Sequence, residues 1–321
     1  MTPESRVYVA GHRGLAGSAI ARALRAQGYA NLVVRTHAEL ELTDAAAVAG
    51  FFAAERPEYV FLAAAKVGGI LANSTYPAEF IFDNLAVQTN VIHSAWRYGA
   101  KRLLFLGSSC IYPRDCPQPI REEYLLSGPL EPTNRPYAVA KIAGVEMLDA
   151  YNRQYGTQFL AAMPTNLYGP GDNYDPETSH VLAALIRKFH EAKARGGRSV
   201  VLWGSGTPRR EFMHSDDMAA ACVHLMRQPW QRLAAAFGGG HPLVNVGCGE
   251  DLTIRELAGR VREAVGAKAD IELDRSKPDG TPQKLLDVSR LARLGWRASI
   301  PLDEGLAAAY RDFLARAAQP A

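Results

Sequence analysis

The sequence predicts an α/β fold in which a doubly wound parallel sheet is followed by a smaller C-terminal α/β domain. In the first half, short apolar runs with strand character alternate with helical segments: VYVA, NLVV, YVFLAAA, RLLFLGS and TQFLAAM. Such alternation is typical of a parallel sheet with helices on both faces. After Met163 the chain becomes rich in Pro, Gly, Asn and Asp, in PTNLYGPGDNYDPETSHV. That composition predicts long loops over a ligand.

Length, charge and cysteine content exclude several kinds of protein. The 321 residues suffice for one large or two modest domains, and 36 basic against 33 acidic residues give no reason to expect nucleic acid or an anionic membrane as a partner. We find no apolar run near the roughly 20 residues that span a bilayer, and the first ten residues are predicted as a strand rather than a signal peptide. The four cysteines show neither C-x-x-C pairs nor metal-ligand spacing, which predicts a reduced, cytoplasmic protein without a metal.

The first element predicts a dinucleotide site. A strand at 6–10 leads into a glycine turn and then into an alanine-rich helix. The turn consists of Gly11, His12, Arg13, Gly14, Leu15, Ala16 and Gly17. Its glycines let the backbone approach a pyrophosphate, and the helix start offers free N–H groups and a positive dipole end. A tight turn without a ligand would also contain glycines, but the position at the N-terminus, between strand and helix, favours a Rossmann-type cofactor domain.

The second predicted strand, residues 32–35, indicates which nicotinamide cofactor binds. An NAD site usually has a carboxylate about 20 residues after the glycines, where it accepts from the ribose 2′-hydroxyl. Here Arg35 and His37 occupy that region, and Arg13 lies within the glycine turn. Glu39, the nearest acid, is predicted to belong to the following loop. Cations in place of an acid suit a 2′-phosphate, so the sequence predicts NADPH.

Two long helices have apolar residues on more than one face. The first is predicted at roughly 77–98 and the second at 137–155. Helices of this kind are either deeply buried or form a subunit interface. The pattern alone leaves both possibilities open.

The second half predicts a further set of elements. These are a helix at Val181–Arg195, a strand at VVLWG, a loop at SGTPRREFMH, a helix from Ser215, a strand at LVNVG, and a helix begun by a capping box at Thr253 and Glu256. They cannot all extend one sheet. We therefore predict an NADP-binding domain at 1–165, joined by parts of 212–247, and a discontinuous, mainly substrate-binding domain over 166–321.

Tyr137 and Lys141 stand four residues apart in PYAVAKIAG, and Ser108 follows the strand of RLLFLGS. On a helix, positions four apart share a face. A lysine cation beside a phenol is expected to lower the pKa of the phenol toward the working range, and the Ser108 hydroxyl can bond the same substrate oxygen. A surface tyrosine and lysine would show the same spacing. Within a nucleotide fold, however, the three residues predict a device that moves a proton while a hydride is transferred.

With these motifs in place, the chain resembles the extended short-chain dehydrogenase/reductases that act on nucleotide sugars and, more closely, the GDP-L-fucose synthase family. Seven motifs in order carry the closer resemblance: GHRG, AAAKVGGI, GSSCIYP, EPTNRPYAVAKIAG, MPTNLYGP, WGSGTP with REF, and SKPDGTP with KLLD. The resemblance implies NADPH-dependent conversion of GDP-4-keto-6-deoxy-D-mannose to GDP-L-fucose, by epimerisation at C3 and C5 and then reduction at C4. It also implies a homodimer in which the two long helices of each subunit form a four-helix bundle.

The resemblance assigns roles to individual residues. Cys110 and His180 are implied as the acid–base couple of epimerisation, and a thiol and an imidazole titrate within reach of neutral pH. Apart from the resemblance, Cys110 is more typical of a small buried hydrophobe and His180 of a loop histidine. Besides the glycine turn, Arg35 and His37, the implied cofactor contacts are Leu106, Gly107, Ser108, Ser109, Lys141, Pro164, Thr165, Asn166, Leu167 and His180. The implied contacts to GDP are Lys188, Trp203, Arg210, Asp279 and Lys284.

Two departures from the family pattern bear on these roles. Position 188 is lysine where arginine is expected, which loses the bidentate geometry of a guanidinium. His37 also stands where an arginine is expected near the 2′-phosphate. The second departure leaves the strictness of the NADPH preference open.

Three other functions fit parts of the pattern. A nucleotide-sugar 4,6-dehydratase would need an Asp-Glu pair where Ser109 and Cys110 stand. A 4-epimerase recycles tightly held NAD, favours an acid after the second strand and has no use for a thiol–imidazole couple. A non-catalytic nucleotide-binding protein has no need of the proton relay predicted at Ser108, Tyr137 and Lys141.

Overall fold

The computed structural model describes residues 1–176, 178–277 and 279–318. The helices are α1 (Leu15–Ala26), α2 (Ala45–Glu55), α3 (Ile70–Thr75), α4 (Pro77–Arg97), α5 (Arg135–Tyr155), α6 (Val181–Arg195), α7 (Ser215–Arg227), α8 (Trp230–Phe237), α9 (Ile254–Val265), α10 (Ser289–Arg293) and α11 (Leu302–Ala317). The strands are β1 (Val7–Ala10), β2 (Leu32–Val33), β3 (Tyr59–Leu62), β4 (Arg102–Leu106), β5 (Phe159–Pro164), β6 (Asn166–Tyr168), β7 (Ser199–Trp203), β8 (Arg209–His214), β9 (Leu243–Val246), β10 (Asp251–Thr253), β11 (Asp270–Asp274) and β12 (Gln283–Lys284). Within the described ranges, no helix combines the length and the apolar character that crossing a bilayer requires.

A six-stranded parallel sheet in the order β2-β1-β3-β4-β5-β9 forms the centre of the protein. The strands β1, β4, β5 and β9 are buried along their whole length, because helices cover both faces. Alternate side chains enter opposite layers. Val7 and Val9 pack with residues of α1, α7 and α8, whereas Tyr8 and Ala10 pack with residues of α2, α4 and α5. The predicted doubly wound parallel sheet is therefore confirmed.

The second half forms two smaller sheets beside a separate apolar core. One sheet has the order β10-β8-β12 with β6 also paired to β8, and the other pairs β11 with β7. The core between α6, α9 and α11 contains Leu185, Phe189, Leu257 and Leu306. Strand β9 lies instead beside β5 in the large sheet. The predicted domain boundaries stay a prediction.

Two predictions about local structure were wrong. The segment SGTPRREFMH, predicted as a loop, contains strand β8, which pairs with β10 on one side and β12 on the other. Its conformation depends on partners that are distant in sequence, so local composition does not reveal it. The second strand ends at Val33, so Arg35 lies in the segment beyond it. The capping box at Thr253 and Glu256 is confirmed at the start of α9.

The glycine turn between β1 and α1 is closely packed. Gly11 has φ of +82°, in the left-handed region, and a Cβ there would lie 2.7 Å from the Ala64 nitrogen. A Cβ on Gly17 would lie 2.2 Å from the Gly11 carbonyl oxygen. The start of α1 therefore rests directly on the turn, with no room for a side chain between them.

We expect Gly17→Ala to lower the free energy of unfolding by about 1–3 kcal/mol, because the turn must move to admit a methyl group. Gly50→Ala is the matched control: open space surrounds Gly50 in α2, and alanine is the better helix former by roughly 1 kcal/mol. Urea denaturation of both variants measures the difference. Equal loss of stability in the two variants would show that the turn does not pack as described.

Candidate active site

The carboxyl end of β4 meets the first turns of α5 at a small cluster of reactive side chains. Ser108 follows β4, and its Oγ accepts from the Cys110 nitrogen at 3.4 Å. Tyr137 is hydrogen-bonded to Ser108, and the Lys141 Nζ donates to the Leu106 carbonyl at 2.8 Å. A hydroxyl, a thiol, a phenol and an ammonium thus share one place, which we call the thiol cluster (Ser108, Cys110, Tyr137 and Lys141).

Burial controls the protonation of the thiol cluster. It raises the pKa of the Tyr137 phenol, and the nearby Cys110 acts in the same direction while the bond with Ser108 opposes it. Burial also raises the pKa of the Cys110 thiol, against the effect of the cations Lys284 and Lys141. It lowers the pKa of Lys141 to about 8. Near neutral pH the phenol is therefore protonated, and it can donate a proton.

The predicted net lowering of the Tyr137 pKa was wrong, because burial raises that pKa instead. The Lys141 Nζ lies 5.8 Å from the centre of the Tyr137 ring and bonds the Leu106 carbonyl instead. Removal of the phenol from water has the larger effect on its pKa. Sequence spacing places the two side chains on one helix face but does not reveal how far both are desolvated.

His180 lies in the loop before α6, at the N-cap position of that helix, and its side chain makes no capping hydrogen bond. The carbonyl groups of Thr178 and Ser179 lie beside Gly69, in the segment of small residues after β3. Surrounding protein atoms lower the pKa of the His180 imidazole, although the residue keeps an exposed surface. The lowered pKa favours the neutral form of the imidazole.

The residues predicted to contact the cofactor follow three strands of the large sheet. The glycine turn follows β1, the segment from Leu106 to Ser109 ends β4, and Pro164 to Leu167 joins β5 to β6. Because the strands are parallel, all three segments lie at the same edge of the sheet. Gly107 is closely packed there, since a Cβ would lie 2.1 Å from the Met163 Cε.

The two cations predicted to meet a 2′-phosphate are paired with acids. The Arg35 guanidinium forms an ion pair with Glu55, which also pairs with Arg6 at the start of β1. The His37 Nε2 lies 2.6 Å from a Glu41 carboxylate oxygen. A phosphate at this place would compete with Glu55 and Glu41 for these bonds.

Glu39 does not occupy the position of an NAD-type carboxylate. Its side chain accepts from the Thr36 nitrogen at 2.7 Å and from the Thr36 hydroxyl at 2.8 Å. These bonds, and to a lesser extent the cations Arg35 and Arg13, hold the pKa of Glu39 below its usual range. The acid is thus engaged in its own turn, in the loop after the strand.

The residues predicted to contact GDP form two groups, and the first surrounds Trp203. The Trp203 side chain is 64% exposed, and the Nζ atoms of Lys188 and Lys277 lie 5.9 and 5.5 Å from the centre of its ring. The Asp279 Oδ1 accepts from the Ser205 nitrogen at 2.9 Å. An open aromatic face beside two ammonium groups can stack on a planar ring and attract an anion. Sequence reasoning missed Lys277, although its place in SKPDGTP, near Asp279, was a usable signal.

The second group consists of Arg210 and Lys284, which lie in the smaller sheet, and Lys284 is near the thiol cluster. Strands β8 and β12 pair so that Arg210 and Lys284 are opposite each other. Burial lowers the pKa of both side chains, and the Lys284 charge also acts on Cys110. The strand pairing therefore places two partly buried cations side by side, and one of them, Lys284, acts on the Cys110 thiol.

Glu211, in β8, is a further residue that sequence reasoning missed. Its side chain is completely buried and accepts from the Gly249 nitrogen at 2.7 Å and the Leu286 nitrogen at 3.0 Å. Burial raises the pKa of this carboxyl group. The sequence did contain a signal, which is an acid at an inward position of REFMH. That segment is recognised as a strand only once its pairing partners are known.

Comparison with known proteins agrees with this geometry. The model of the NAD dependent epimerase/dehydratase family matches residues 7–237. The chain therefore belongs to the NAD dependent epimerase/dehydratase family. Among curated relatives, GDP-L-fucose synthase of Escherichia coli (strain K12) is 55% identical over 97% of each chain, and GDP-L-fucose synthase 1 of Arabidopsis thaliana is 56% identical over 97% of this chain and 93% of its own. The resemblance to GDP-L-fucose synthases is confirmed.

Two solved structures show how closely the fold is shared. A GDP-6-OMe-4-keto-L-xylo-heptose reductase from C. jejuni has a TM-score of 0.94 and 38% identity, over 98% of this chain and 99% of its own. A GDP-L-fucose synthetase from Naegleria fowleri bound to NADP has a TM-score of 0.87 and 26% identity, over 99% of this chain and 96% of its own. Both cover essentially the whole chain.

Proposed function

We propose that this enzyme converts GDP-4-keto-6-deoxy-D-mannose to GDP-L-fucose, with NADPH as the reductant. Relatives named GDP-L-fucose synthase, at 55 to 58% identity over nearly the whole chain, support this function. Related structures that carry NADP support the cofactor. The observation that carries the proposal is the thiol cluster, in which Cys110 joins the hydroxyl, phenol and ammonium of a hydride-transfer site.

The epimerisation uses the acidity that the C4 ketone gives to its neighbours. The hydrogens on C3 and C5 both become exchangeable, so one base and one acid on opposite faces can invert both centres. We assign these roles to Cys110 and His180. The thiol is neutral at rest because burial raises its pKa, and Lys284 and Lys141 favour the thiolate once a proton leaves. The His180 imidazole, whose pKa is lowered, has to take up a proton before it can donate on the other face, so the reactive couple is a thiolate and an imidazolium.

The reduction uses the rest of the thiol cluster. When bound, NADPH supplies a hydride to C4. Tyr137 donates the proton to the C4 oxygen, and its raised pKa keeps that proton in place until it is needed. Ser108 orients the ketone oxygen, and the Lys141 cation stabilises the phenolate that remains.

The residues around the glycine turn fit a dinucleotide. Gly14 caps α1 without a side chain, which leaves the N–H groups of the first helical turn open to a pyrophosphate. Within the described residues, the buried His12 Nδ1 has no hydrogen-bond partner, so the turn offers a ligand one more polar atom. Arg13 and Arg35 supply positive charge for a 2′-phosphate, and Glu55 has to yield the Arg35 guanidinium to it.

A reductase without epimerisation is the second candidate. It is favoured by the TM-score of 0.94 with the heptose reductase. The synthases are nevertheless closer in sequence, at 55 to 58% identity against 38%. NMR identification of the product from the keto-sugar and NADPH separates the two, because the reductase would leave C3 and C5 unchanged.

Two substitutions are expected to separate the two half-reactions. Tyr137→Phe should lower NADPH consumption at least about 100-fold, since the proton donor is lost, while deuterium from solvent still enters C3 and C5. Cys110→Ala should abolish that deuterium uptake. Cys222→Ala, which removes a fully buried thiol of α7, is the control for loss of a thiol. Normal uptake at both carbons in Cys110→Ala would remove Cys110 from the reaction.

The half-reactions are also expected to differ in their dependence on pH. The Lys141 pKa of about 8 means that its cation is lost above that value, so single-turnover hydride transfer should slow as pH rises through 8. Deuterium uptake without NADPH should instead keep rising, by roughly tenfold per pH unit, because only the thiolate acts as base and burial raises the Cys110 pKa. Parallel pH profiles would show that these groups do not govern the two steps.

Two further proposals concern the oligomeric state of the protein and its location in the cell. We infer a homodimer through α4 and α5, supported by exposed apolar side chains on these helices: Phe82 at 67%, Val139 at 41% and Tyr155 at 42%. The predicted cytoplasmic location is in keeping with four free cysteines.

Phe82→Glu should convert the dimer to a monomer, because a buried carboxylate in an apolar interface is costly. Leu314→Glu, at a side chain of α11 that is 40% exposed, should leave the mass unchanged. Sedimentation equilibrium measures both. A wild-type protein that remains monomeric at high concentration would refute the inferred interface.

A further inference from the structure

Glu211 connects three segments that meet between the large sheet and the smaller one. Its carboxylate oxygens accept from the Gly249 nitrogen at 2.7 Å and from the Leu286 nitrogen at 3.0 Å. Its backbone carbonyl accepts from the Thr165 hydroxyl at 3.1 Å and the Asn166 amide at 2.8 Å. One buried residue therefore ties the segment after β5, the segment after β9 and the segment after β12 to strand β8.

The segment that contains Lys284 depends on such side bonds. Strand β12 has two residues, and it pairs with β8 only at Gln283 and Lys284. On its other side, the Leu285 nitrogen donates to the Gln118 Oε1 at 2.9 Å, and the Leu285 carbonyl accepts from the Ile120 nitrogen at 2.7 Å. The bond from the Leu286 nitrogen to Glu211 holds the side that faces β8. Loss of this bond would remove the contact that holds the segment on the β8 side, directly beside Lys284.

A carboxylate is better suited than a neutral side chain to accept hydrogen bonds from both the Gly249 and the Leu286 nitrogens. Its two oxygens accept from two separate N–H groups, whereas a carboxamide has one oxygen and would turn an NH₂ group toward the second donor. A buried carboxyl group costs free energy that an apolar side chain would not. Stability alone does not favour glutamate here, but accurate placement of the two segments does.

We propose that Glu211 is a positioning residue for the GDP end of the substrate: it holds Lys284 opposite Arg210, so that the two cations meet the diphosphate as a preformed pair. The neighbouring positions in β8 make this possible, because Arg210 and Glu211 project to opposite faces of the strand. The inference rests on the proposed function, since it concerns the same GDP-sugar.

Asp217 provides a matched control for the loss of a buried carboxylate. It is 4% exposed and accepts from the nitrogens of Ser299 and Ile300, each at 2.8 Å, and from the Ser299 hydroxyl at 3.0 Å. Like Glu211 it clamps a distant segment by its backbone N–H groups. It lies in α7, outside the thiol cluster and both groups of predicted GDP contacts.

The test compares Glu211→Gln with Asp217→Asn. Glu211→Gln should lose stability, whereas Asp217→Asn should lose less, because one amide oxygen can accept from both the Ser299 and Ile300 nitrogens. Only Glu211→Gln should raise KM for the keto-sugar, by roughly tenfold, the scale of one lost buried hydrogen bond, with kcat nearly unchanged. Hydrogen exchange of the 283–287 backbone should accelerate in Glu211→Gln alone. If Glu211→Gln does not fold, Glu211→Asp, which keeps both oxygens on a shorter stem, replaces it in the same comparison.

Calorimetric titration with GDP gives a readout that needs no turnover. The Kd should rise in Glu211→Gln by about the same factor as KM and stay unchanged in Asp217→Asn. If wild-type protein binds GDP but does not turn over the keto-sugar, the proposed function fails while the positioning role is still decided by the Kd values. Equal Kd values for GDP in the two variants would overturn the proposal and leave Glu211 a purely structural residue.

Discussion

Desolvation at the end of β4 is the constraint that sets the protonation of the thiol cluster. The same burial raises the pKa of Tyr137 and Cys110 and lowers the pKa of Lys141 to about 8. The thiol cluster therefore contains a protonated phenol, a protonated thiol and an ammonium group that loses its proton readily. The protonated phenol and thiol are neutral donors, and the Lys141 cation is neutralised above a pH of about 8. A more open site would hold these groups nearer their ordinary pKa values.

The topology of the parallel sheet brings together the segments that bury this site. Its strands end at one edge, so the glycine turn, the thiol cluster and the segment after β5 meet there from distant parts of the chain. The smaller sheet closes the arrangement from the other side, with Arg210 and Lys284 on paired strands. Glu211 adds buried hydrogen bonds between the two sheets.

Sequence predicted what depends on local pattern. The strand–helix alternation, the capping box at Thr253 and the helical spacing of Tyr137 and Lys141 are all properties of short segments, and the structure contains each of them. Strand β8 was missed because pairing with β10 and β12 decides its conformation. Glu211 was missed for the same reason, and the direction of the Tyr137 pKa depends on burial by elements far away in the sequence.

The shared carboxylate of Glu55 has a consequence for the choice between the two dinucleotides. Glu55 bonds Arg6 as well as Arg35, so an incoming phosphate that takes Arg35 does not strand an anion without a partner. Recognition of a 2′-phosphate at Arg35 would then be an exchange of partners at one guanidinium, with Arg6 left to pair with Glu55.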